Sequence, residues 1–164
     1  MGTERENIKP IKRSKDLLPL SRDHHNGLLL CWKIRNGINK GISFDRISSY
    51  VLYCFDNDLD KHFTEEEQYI FPLFSKDNTY RIEAEQQHDA LRAIIKLLRN
   101  NPQESNTLLI DFSDQLQNHI RFEERVLFNI IEDQTDKNIL HQVGQKLVNT
   151  TDCNIGWNDN FWLK

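Results

Sequence analysis

An all-α fold, an antiparallel up-down-up-down four-helix bundle followed by a short fifth helix, is what three features of this 164-residue sequence predict. Apolar residues recur at helical spacing, as in Leu91, Ile94, Ile95 and Leu98, or Leu28 and Trp32 with Ile34 and Ile38. Only six glycines and four prolines occur, so long stretches run without a break. Alternating strand-type runs are almost absent.

The helices follow from their breaks. Ser21 is a candidate N-cap after Pro19, and the first helix runs to about Lys40, ending at Gly37 and Gly41. The second starts near Ser43 and continues to about Phe74, with Pro72 in its last turns. A polar loop, 75–78, leads to the third, from about Thr79 to Asn100. Asn101 and Pro102 break it, and Pro102 can open a fourth helix reaching about Asp133. The fifth covers roughly Asp136 to Asn149. Short connections between long helices make neighbours antiparallel.

A chain of this length fits one domain with one core. Its expected organisation is an N-terminal arm at 1–20, the bundle with the fifth helix at 21–150, and an aromatic C-terminal tail at 151–164. Lys9, Lys12, Arg13 and Lys15 in the arm read as solvated charge. Trp157, Phe161 and Trp162, just after Gly156, are too apolar to stay in water and should dock on the bundle or on a second subunit. Monomer and homodimer both remain open.

A net charge of -4 and a pI near 5.9 argue against nucleic-acid binding, which needs a basic face. Apolar runs such as Leu28 to Trp32 fall well short of a bilayer span, and the N-terminus is not shaped like a signal peptide. The expected location is the cytoplasm, without membrane contact. Cys31, Cys54 and Cys153 have no CxxC spacing, so neither a disulfide framework nor a thiolate site is indicated. Cys31 and Cys54 read as small buried apolar residues.

Chemistry concentrates in four groups, one per long helix: His24 or His25, His62 with Glu66, His88, and His119 with Glu123. In HxxxE the two side chains stand one turn apart on one helix face and reach the same point in a bundle interior. A single histidine on a helix is more often a core or surface residue, and a lone HxxxE arises by chance. Here the pair occurs twice, on alternate helices, and all four groups fall near mid-bundle. A metal-free bundle would have to bury these ionisable groups unpartnered. Histidines and carboxylates without thiolates suit iron or manganese, with zinc as a substitute.

The segments LSRDHHNGLLLCWKIRNGI, HFTEEEQYIFPLF, EQQHDALRAI and HIRFEERVLF, from about Leu20 to Glu132, resemble the hemerythrin HHE cation-binding family in its bacterial branch. The resemblance implies a hemerythrin-like four-helix bundle with a non-haem di-iron centre, two iron ions with an oxo or hydroxo bridge. It also implies binding of O2, NO or peroxide, for sensing, storage or iron handling. His25, His62, Glu66, His88, His119 and Glu123 match the family's ligand positions. His25 is preferred to His24 because Leu28, Leu29 and Trp32 follow it as an apolar stripe, leaving His24 as a supporting or surface residue.

The marine-invertebrate oxygen carriers have a further histidine where this chain has Ala84; Glu85, Glu67 or Glu65 could take its place, or water. Sharing four histidines between two ions, with both glutamates bridging, leaves open positions for a small ligand. A binding protein is the leading reading. The alternative is a di-iron enzyme for peroxide turnover, ferrous-iron oxidation or iron-sulfur repair. Tyr50, Tyr53 and Tyr69 read as core residues before redox partners, and His141 as exposed.

Overall fold

A computed structural model describes residues 12–100, 105–147 and 156–163, and every regular element in them is helical. Lys9, the Asn101–Pro102 break, Cys153 and the expected end of the fifth helix at Asn149 lie outside the described residues.

The first helix is Leu18–Asn39, with Pro19 in its opening turn, where a missing N–H costs nothing. It stops because Gly41 adopts φ 71°, so the Ile42 N–H turns back to the Gly37 carbonyl at 3.0 Å. The second helical run, 44–73, starts after Ser43 and finishes in a tight turn, Phe71–Leu73, that contains Pro72. Within it, Phe55–Leu59 and Glu66–Ile70 are wider π turns. The third helix, Thr79–Asn100, is capped by Asn78, whose Oδ1 accepts from the Tyr80 and Arg81 amides. Ser105 caps the fourth run, Asn106 to Gln134, which carries a π turn at Glu123–Leu127. Asp136 caps the fifth, Lys137–Lys146, by accepting from the Asn138 and Ile139 amides.

Two apolar clusters make up the core. One holds Leu30, Ile34, Tyr50, Phe63, Leu91 and Phe112 among others; the second holds Leu20, Ile70, Phe71, Ala84, Leu127 and Phe128. In each of the four long elements the candidate histidines and glutamates fall at the junction between the two clusters. Along the chain, the order in which the clusters are met reverses from one long element to the next. A polar layer thus crosses an otherwise apolar interior, which is where buried polar groups are most expensive unless partnered.

The tail aromatics dock on this chain's own helices. Phe161 is fully buried, Trp162 nearly so, and both rings pack with Tyr50. Gly37 makes room for Phe161: a Cβ there would stand 2.7 Å from its ring. Lys33 lies beneath the tail with its Nζ 4.0 Å from the Trp162 ring centroid and donating to the Tyr50 hydroxyl. Among the described residues no helix is long and apolar enough to cross a membrane.

Candidate metal centre

The inward face of the first helix corrects one expectation. His24 is buried, whereas His25 is exposed. The inner stripe runs Leu20, His24, Gly27, Cys31 and Ile34, while Leu28, Leu29 and Trp32 are 38%, 38% and 52% exposed. In the two turns after His24 the inward positions include the small residues Gly27 and Cys31, while the large apolar Leu28, Leu29 and Trp32 fall outside. A Cβ on Gly27 would meet Ile120 Cδ1 at 2.8 Å, so the close approach of the first and fourth helices admits only glycine without repacking.

Six side chains converge in the polar layer. His24, His62, Glu66 and Glu123 form one group; Glu66, His88, His119 and Glu123 form another, with ligand atoms in each group within 4.8 Å of one another. Each carboxylate divides its oxygens between the groups. Glu66 Oε1 lies 2.8 Å from His62 Nε2 and 3.4 Å from His24 Nε2, and its Oε2 lies 3.0 Å from His88 Nε2. Glu123 Oε2 is 2.9 Å from His24 Nε2, and its Oε1 is 3.2 Å from His119 Nε2.

The outer nitrogen of every ring is held. His24 Nδ1 meets Glu124 Oε1 at 2.8 Å, His62 Nδ1 meets Asp23 Oδ2 at 2.9 Å, His88 Nδ1 meets Glu67 Oε1 at 2.8 Å and His119 Nδ1 meets Gln87 Oε1 at 2.7 Å. Carboxylates and the amide oxygen only accept, so each Nδ1 carries the hydrogen. In the neutral ring the inward Nε2 is then a bare lone pair. These lone pairs face one another and the carboxylates, with His88 Nε2 only 3.1 Å from His119 Nε2. His24 Nε2, His62 Nε2, Glu66 Oε1 and both Glu123 oxygens are buried without a hydrogen-bond partner. A buried cluster of acceptors is stable only when cations or protons lie among them, and the donor set fits metal cations.

Without cations, protons do this work. Burial pulls His62 and His88 down, but Glu66, helped by Asp23 and Glu67 respectively, outweighs it and carries each to about 9. Burial, reinforced by neighbouring Glu66, pushes Glu123 up to about 7. Burial and the adjacent His88 push His119 the other way, well below its ordinary value.

The hemerythrin HHE cation-binding domain model matches residues 20–131, most of the chain. The chain belongs to this family. No curated protein and no solved structure matches it.

Within this hemerythrin domain the remaining expected residues take other places. Glu67 binds His88 Nδ1 and Arg92 from outside the converging group. Glu85 pairs with Arg81, its side chain 42% exposed, and does not reach the centre. Ala84 is fully buried among Ile70, Phe71 and their neighbours, so apolar contact fills that position. Glu65 is buried outside both groups. Tyr50 and Tyr53 pack against Trp157, and Tyr69 lies under Lys146. His141 is exposed and meets Asp16. Cys31 and Cys54 are buried, and burial pushes Cys31 up to about 11.

Asp23, Gln87 and Glu124, which hold the outer nitrogens of His62, His119 and His24, were passed over by sequence reasoning. Each adjoins a candidate ligand in DHH, QQHD or FEER, but ordinary charged neighbours look identical until the helix faces are known.

Proposed function

We propose that this hemerythrin domain holds two metal ions, iron in the cell, as a non-haem di-iron centre that binds O2, NO or peroxide. One ion would sit with His24 and His62, the other with His88 and His119, and Glu66 and Glu123 would serve both. The observation that carries this reading is the burial of imidazole lone pairs and carboxylate oxygens facing one another with no donor between them. Manganese or zinc would suit the same donors. When bound, the iron pair supplies the redox-active site for the small ligand. The chain's residues fix its surroundings: Asp23, Glu67, Gln87 and Glu124 keep the Nδ1 protons outward, and Phe63 and Phe128, stacked on His88 and His24, exclude water.

The reversing order of the core clusters supports an antiparallel up-down-up-down arrangement of the four long elements.

Metal analysis of anaerobically purified protein tests the reading, with about two iron ions per chain expected. A near-ultraviolet change on admitting air or NO should accompany them. Protein that binds less than one ion per chain, or whose spectrum ignores both gases, overturns it. Steady consumption of peroxide or ferrous iron would assign an enzyme instead of a binding protein.

A further inference from the structure

The four imidazoles are not backed alike. His24 and His62 each donate Nδ1–H to a carboxylate, Glu124, which also pairs with the Arg13 guanidinium, and Asp23. His88 likewise donates to a carboxylate paired with a guanidinium, Glu67 with Arg92. His119 donates to the neutral side-chain amide of Gln87. The two bridging glutamates place one oxygen toward each histidine pair, so they do not distinguish the pairs. The difference in backing is therefore the one amide, Gln87 behind His119, against three carboxylates.

A carboxylate on Nδ1–H makes the opposite nitrogen a stronger donor and brings a negative charge near the cation, while an amide contributes only a dipole. Building on the two-ion reading, we propose that the His24/His62 position binds its cation more tightly than the His88/His119 position, and that Gln87 is the positioning residue that weakens the second.

Gln87 can be changed without disturbing the core. It is half-buried and lines a surface cavity of about 240 Å³ with Glu83, Gln86, Gln115 and Asn118; its Nε2 donates to the exposed Glu83 at 3.2 Å, a side chain that can turn into solvent when position 87 carries a carboxylate.

The test titrates metal-free full-length protein with Co²⁺, following heat and the visible absorption of the bound ion. Wild type should bind two ions in separate steps at least tenfold apart. His24→Ala should remove the tight step and His119→Ala the weak one, which assigns them. Gln87→Glu should tighten the weak step about tenfold and leave the tight one in place, since outer partners of metal-bound histidines typically change affinity 10- to 100-fold. Asp23→Asn should loosen the tight step by about as much and is the second arm if Gln87→Glu folds poorly by circular dichroism. Two equal steps in wild type, or correctly folded variants that leave their own step unchanged, overturn the proposal while two bound ions sustain the two-ion reading. Fewer than two ions in wild type overturns both.

Discussion

Glu66 and Glu123 are each fully buried, and each has both oxygens turned toward histidine nitrogens from different helices. A carboxylate so placed cannot be replaced by a neighbour, because the residue one turn before it is already a converging histidine and the residue one turn after it, Ile70 or Leu127, lies in an apolar cluster. His24 has no substitute on its own helix either, since one turn on stand Gly27 and the exposed Leu28. Replacing His24 with alanine should lower bound metal from about two ions per chain toward one or none, whereas His25→Ala should retain both, as expected for loss of a ligand against loss of an exposed side chain. Metal analysis of the two purified variants decides the matter, and the reverse pattern would return the role to His25. The reason His24 was not legible from sequence is local. The stripe of large apolar residues after His25 looked like a core face, but Gly27 and Cys31 form the real one, and small residues carry little hydrophobic signal.

At the scale of elements, Glu66 and Glu123 each open a π turn, at Glu66–Ile70 and Glu123–Leu127. A π turn adds a residue to one helical turn, and such turns gather at functional sites. Here each rotates the helix just past its glutamate, so that Ile70 and Leu127 still reach the second cluster. Neither bulge has a sequence signature, and the repeated HxxxE was visible where the turns that follow were not. The tail is a second element whose place was half legible: its aromatics required burial, and packing chose the surface beside Gly37 and Tyr50. Phe161→Ala should cost about 3–5 kcal/mol, the usual loss for a fully buried phenylalanine. Calorimetry should show a melting midpoint lower by about 10 °C, given the 2–4 °C per kcal/mol typical of this size. An unchanged midpoint would show that the tail adds nothing to the fold. Truncation after Thr151 should lower it at least as far.

For the whole molecule the polar layer sets the response to pH. His62 and His88 stand at about 9 in the metal-free folded chain against about 6.5 when unfolded. Groups raised on folding give stability that is complete below the unfolded value and is lost as pH climbs through the folded one. His24, also raised, acts in the same direction, and Glu123 at about 7 does so at lower pH. Glu124 has the opposite sign. Burial would raise it, but His24, Ser21 and Arg13 hold it at about 2, so its contribution is lost only in acid. Metal-free protein should therefore melt at progressively lower temperature from pH 6.5 to 9. Added metal should restore stability by an amount that grows over the same range, because cations and protons compete for the same lone pairs. Thermal melts with and without metal across that window check both slopes; a flat metal-free curve would contradict the proton distribution described here.

Helical periodicity, scarce glycine and proline, and the ordered spacing of His62, Glu66, His88, His119 and Glu123 were enough to determine an all-helical chain with a metal-binding layer, because periodicity and spacing are properties of one helix at a time. Which of two adjacent histidines turns inward, which acid backs which ring, and where the tail lies depend on how closely separate helices approach. Those were decided only by packing: Gly27 against Ile120, Asp23 beside His62 across 39 residues of chain, and Gln87 beside His119 across 32.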